Sequence, residues 1–114
     1  MAFSEKQLSS IRRVVRDFCE RRVPQEVRDQ VRLLYTVEGQ NVIICESRPN
    51  WRDPSKWQEA DVAKLRYVAV SDEWKLYWKR ASGKWWPYKT RTRSTTLSAM
   101  LTEIDGDEYG CFFG

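Results

Sequence analysis

The sequence predicts an α+β protein: a five-stranded antiparallel meander sheet with an N-terminal and a C-terminal helix. Three observations predict it. Near the start, Leu8, Ile11, Val15, Phe18 and Cys19 recur at helical spacing. From Val27 to Thr90 the pattern changes to period two, in short runs broken by turn residues. Helical spacing returns at Leu97, Met100, Leu101 and Ile104. With 114 residues, the chain reads as a single domain, residues 1–114, large enough to bury a core without metal or disulfide staples.

The first helix has a clear beginning. Ser4 stands three residues before Gln7, and Phe3 and Leu8 flank them, which is a capping box with a hydrophobic staple. Pro24 stops this helix at about Arg22. Arg12, Arg13 and Arg16 lie off its apolar stripe and read as a solvated face.

Val27 to Val37 alternates as a half-buried strand, and "VIICES" follows after "EGQN". A two-residue turn at Gly39-Gln40 sets Val37 opposite Val42 and Tyr35 opposite Ile44. Leu34, Ile43 and Cys45 on the other face also call for cover. "RPNWRDPSKWQEAD" reads as the one long loop, a flap that Trp51 and Trp57 pin to the body.

Val62 to Val70 and Trp74 to Arg80 read as the next pair, turning at Ser71-Asp72 or a four-residue version of it. Pairing Leu65 with Trp78, Tyr67 with Leu76 and Ala69 with Trp74 leaves one apolar face. A glycine-bulge turn at Gly83 leads to Trp85 to Thr90, with Trp86 opposite Trp78 and Tyr88 opposite Leu76. Trp74, Trp78, Trp86 and Tyr88 are therefore expected in the core. Ser94 or Thr95 caps the second helix and Gly106 ends it. Phe112 and Phe113 are expected to fold back onto the body or into a partner subunit.

The stretch Glu73 to Arg93 contains four of the six Trp, two Tyr, seven basic residues and one acid. Once the inward rings are assigned, Tyr77 and Trp85 remain outside, near Lys64, Arg66, Lys75, Lys79 and Lys89. Rings among cations are a stacking platform for single-stranded nucleic acid. The net charge of +4 permits such a partner without requiring it.

Catalytic signs are sparse. The chain has no histidine, which removes the commonest general base and metal ligand. No phosphate-binding glycine loop and no Cys/His cluster occurs. "DGDEYG" is a poor calcium loop and reads as helix C-terminal chemistry. Glu46 and Asp53 are conceivable acid–base partners that nothing in their spacing selects. No cofactor and no metal is expected, and the balance leans away from an enzyme. No apolar run nears the roughly 20 residues of a membrane helix. Three widely spaced cysteines, Cys19, Cys45 and Cys111, point to reduced thiols and a cytoplasmic location.

"RVPQEVRDQVRLLYTVEGQNVIICESRPNW", "VAKLRY", "WKLYWKRASGKWWPY" and "LTEIDGDEYGCFFG" together resemble DUF3024, a family of small bacterial proteins. The likeness covers nearly the whole chain. Arg48-Pro49 with Trp51-Arg52, the Leu76-Tyr77-Trp78 triplet and the acidic, aromatic C-terminus are its more specific parts. The resemblance implies a compact bacterial protein that stands alone, and it implies no activity. It also implies a Trp-Gly ending, where this chain keeps an aromatic ring as Phe113-Gly114.

Three functional readings follow. The leading one is a non-enzymatic binding or assembly module, as a homodimer or with a protein partner. The second is single-stranded nucleic-acid binding through Tyr77 and Trp85. The third is a small anionic ligand held under the Trp51–Trp57 loop by Arg48 and Arg52, whose guanidinium groups suit carboxylate or phosphate.

Overall fold

The computed structural model describes residues 3–88 and 95–113. Helix α1 (Glu5–Arg22) begins as its sequence predicts. The Ser4 hydroxyl accepts from the Gln7 N–H at 3.2 Å, and Gln7 Oε1 accepts from the Ser4 N–H at 2.9 Å. Ile11, Val15, Phe18 and Cys19 are its buried stripe, and Arg12, Arg13 and Arg16 are exposed. Each fully buried apolar side chain contributes roughly 1.5–3 kcal/mol.

The strands are β1 (Arg32–Glu38), β2 (Asn41–Pro49), β3 (Trp57–Val68), β4 (Glu73–Lys79) and β5 (Trp85–Pro87), paired antiparallel in chain order. Helix α2 (Leu97–Gly106) follows. The five-stranded α+β meander is thus the fold.

The first hairpin has the predicted register. Val37 faces Val42 and Tyr35 faces Ile44, with Gly39 at φ +59° in the turn. Its first strand starts later than the alternation suggests. Gln25–Val27 forms a single 3-10 turn, because Pro24 sets up a tight turn with the Val27 N–H on the Pro24 carbonyl.

The long loop is shorter than expected. Strand β2 runs on to Pro49 and β3 starts at Trp57, so the loop is a hairpin tip rather than a flap. Trp51 is 80% exposed and pins nothing. The tip holds itself: the Asn50 N–H bonds the Lys56 carbonyl, Asn50 Oδ1 accepts from the Arg52 N–H, and Asp53 Oδ1 accepts from Ser55.

The β3–β4 register differs from the expectation by two residues. Leu65 faces Leu76, Ala63 faces Trp78 and Tyr67 faces Trp74. A slip of two keeps every side chain on its expected face, because the side-chain period is two. The cause is the turn. Asp72 takes φ +49°, its N–H closes on the Ala69 carbonyl, and its carboxylate accepts from the Tyr67 hydroxyl at 2.6 Å. Tyr67 and Trp74 then meet Phe3 in one aromatic cluster, with centroids 5.3–5.8 Å apart.

The β4–β5 register is as expected, Trp78 facing Trp86, and the Tyr88 N–H bonds the Leu76 carbonyl. Gly83, at φ +85°, makes the predicted turn. Tyr88 is buried, and Trp74 and Trp78 are half-buried against the core. Trp86 is not a core residue. It is 46% exposed on the edge strand, where the Arg80 guanidinium covers its ring at 4.5 Å. β5 ends at Pro87, and the rest of the expected strand, Lys89 and Thr90, lies outside the described residues.

The second helix is capped by Thr96, whose hydroxyl accepts from the Ala99 N–H, rather than by Thr95; Ser94 lies outside the described residues. Asp107, not Gly106, takes the left-handed position at its end, with φ +43°. The tail folds back onto the body. Phe112 is buried edge-on to Tyr88 at 5.0 Å, and the Arg22 guanidinium lies over Phe113 at 4.2 Å. Arg22 also bonds Asp105 at 2.9 Å, tying the end of α1 to that of α2.

One core joins α1, α2 and the tail to one side of the sheet. Val42, Ile44, Ala63, Leu65 and Leu76 are that side's buried residues. Among the described residues, neither helix lies on the other side.

Candidate binding face of the sheet

Alternation places Leu34, Ile43, Lys64, Arg66, Lys75, Tyr77, Lys79 and Trp85 on the side away from the helices. The β3–β4 pairing arranges the cations and one ring as a ladder. Arg66 stands directly opposite Lys75, and Lys64 opposite Tyr77, with the Lys64 ammonium 5.5 Å from the ring centroid. On the next pair, Lys79 stands opposite Trp85, with its ammonium also 5.5 Å from the ring. Tyr77 and Trp85 are half-buried, while Arg66 and Lys75 are exposed.

A bulge completes the face. Ile44 faces Ala63 but Cys45 faces Asp61, so Val62 is an extra residue in β3. The bulge re-phases the strand and turns Asp61 to the same side as Cys45 and Lys79. The Cys45 thiol donates to Asp61 Oδ1 at 3.2 Å, and Lys79 Nζ donates to Asp61 Oδ2 at 3.0 Å. A connected line therefore crosses four strands, from Cys45 through Asp61 and Lys79 to Trp85.

The electrostatics follow from that line. The Lys79 hydrogen bond, aided by the Cys45 thiol and opposed by burial, holds the Asp61 carboxyl below the usual carboxylate range. Burial first, then the hydrogen bond to Asp61, pushes the Cys45 thiol up to about 12. Cys45 is therefore a protonated donor near neutral pH, not a nucleophile. Farther along, the Arg32 guanidinium reaches from β1 over the Trp57 ring on β3 at 4.5 Å. It spans the intervening strand at Ser47, which is 4% exposed.

Of the residues expected at a site, Tyr77, Trp85, Lys64, Arg66, Lys75 and Lys79 come together on this face. Lys89 lies outside the described residues. Arg48 and Arg52 are elsewhere and otherwise engaged: Arg48 pairs with Glu46, and Arg52 lies over the Trp51 ring at 4.7 Å. Sequence reading missed Asp61, Cys45 as its donor, and the Arg32–Trp57 lid. The bulge that brings Asp61 round contains no glycine and leaves no sequence mark.

Helices on one side and a cation-and-ring ladder on the other define an open-faced α+β sheet protein. The chain belongs to the family described as domain of unknown function DUF3024, whose model matches residues 3–114. No curated protein and no solved structure matches it.

Proposed function

We propose that this protein is a binding module whose working surface is the uncovered face of the sheet, and that the face takes single-stranded nucleic acid. The observation that carries this reading is Arg66 opposite Lys75, two cations in register beside the Tyr77 ring. Like charges directly opposed on a sheet destabilise it, so their placement is unfavourable for the fold alone and favourable for an anionic chain. Tyr77 and Trp85 supply rings on which bases stack, each worth roughly 1–3 kcal/mol. Lysines beside both rings supply the salt-dependent share of affinity. A reducing bacterial cytosol is the setting that suits three unpaired thiols, Cys19, Cys45 and Cys111.

The test is a titration of the protein with a thymidine homopolymer, read by tryptophan emission. The expected result is quenching that weakens with salt, and a salt slope that flattens by about 0.7 for each phosphate-contacting cation removed. Arg66→Ala and Lys75→Ala are the two variants to compare. No quenching at low salt removes the reading, and a quenching curve and salt slope in both variants equal to those of the wild type remove these residues from it.

A further inference from the structure

We propose that two copies of this chain pair edge to edge through β1, making one continuous sheet across a two-fold axis at Tyr35. This goes beyond the binding reading and does not depend on it.

The two edges of the sheet differ. Edge strand β5 is three residues long and contains Pro87, a common way to block further pairing. Edge strand β1, "RLLYTVE", is seven residues long with no proline, and its pairing with β2 has no bulge. Glu38 and Asn41 close the two-residue turn as a hydrogen-bonded pair. Alternate residues Thr36, Leu34 and Arg32 therefore bond towards β2. The N–H and C=O groups of Leu33, Tyr35 and Val37 point outward from the edge.

A second copy fits those groups in one full-length register. With the axis at Tyr35, Leu33 faces Val37 of the second copy, and Tyr35 faces Tyr35. All outward-pointing groups of the strand then find partners, and each residue meets one from its own side of the sheet. In the same register Arg32 stands opposite Glu38 of the second copy, at both ends of the seam; to meet that carboxylate its guanidinium swings off the Trp57 ring and its Nε leaves the Arg28 carbonyl. That charge complementarity selects a second copy rather than an unrelated strand. The groove between α1 and this edge, about 300 Å³ in volume, is net basic, with Arg16, Arg28 and Arg32 against Glu20. Pairing also joins two uncovered faces into one longer surface.

Sedimentation across a wide range of protein concentration tests this. The expected result is a reversible dimer. Arg32→Glu and Glu38→Arg each place like charges at both ends of the seam, and each should weaken dimerisation by about tenfold or more. Mixing the two variants restores both opposite-charge pairs and should give a heterodimer. A wild-type monomer at the highest concentration overturns the proposal. So does a dimer unaffected by the single changes, or two folded variants that fail to pair on mixing. Oligonucleotide quenching by a strict monomer would leave the binding reading standing while removing this one.

Discussion

Arg66 and Lys75 face each other across β3 and β4, and neither has a carboxylate partner among the described residues. Reversing one charge should therefore act in opposite directions on stability and on binding. Lys75→Glu converts a like-charge pair into an opposite-charge pair and should stabilise the fold by about 0.2–1 kcal/mol. The same change should weaken oligonucleotide binding, because it removes one cation and adds an anion. Urea denaturation and fluorescence titration on one preparation measure both. A variant less stable than the wild type would mean that the pair is not a local conflict.

How much of this face was legible in sequence depends on which residues carry it. Period-two alternation assigns Lys64, Tyr77 and Lys79 to the outer side whatever the exact register. That is why a two-residue error in pairing β3 with β4 left the face intact. The error itself came from Asp72, whose left-handed backbone and bond to Tyr67 no pattern of apolar residues encodes. Trp86 shows a second limit. Alternation puts it on the inner side opposite Trp78, yet depth of burial depends on what lies overhead, and over Trp86 the described residues set the Arg80 guanidinium. The bulge at Val62 shows a third. It changes which side Asp61 occupies, and pairing partners distant in sequence decide it.

Acid should loosen the line through Asp61. Its folded carboxyl lies below its unfolded value, so it contributes stability above the unfolded value of about 4. That contribution falls away as pH drops through the depressed folded value. Asp61→Asn should remove this part of the acid dependence while leaving the rest of the profile. The check is the urea midpoint of both proteins on a descending pH series. Parallel curves would show that the Lys79 bond carries no linked stability.

The Cys45 thiol gives the opposite sign at the alkaline end. Its folded value is raised from 9.0 to about 12, so the linked stability is whole below 9.0 and is lost as pH rises towards about 12. Burial raises Cys19 likewise, to about 11. Both thiols should therefore alkylate slowly in the folded protein near neutral pH, and quickly in urea. Peptide mass analysis after timed iodoacetamide exposure resolves each cysteine. Fast labelling of Cys45 in the native protein would contradict its bond to Asp61.

Asp107 anchors the tail by two separable means. Its backbone is left-handed, and its carboxylate accepts from the Phe112 N–H at 3.0 Å and the Phe113 N–H at 2.9 Å. Those bonds place Phe112 against Tyr88 and Phe113 beneath Arg22. Asp107→Gly keeps the backbone easy and removes the carboxylate; Asp107→Ala removes the carboxylate and adds strain. Asp107→Asn retains one acceptor oxygen. The expected order of stability is wild type, then Asn, then Gly, then Ala, with Ala about 2–4 kcal/mol below wild type. Denaturant midpoints give the order. If Ala equals Gly, the left-handed backbone contributes nothing, and if Gly equals wild type, the two aromatic residues are held by their packing alone.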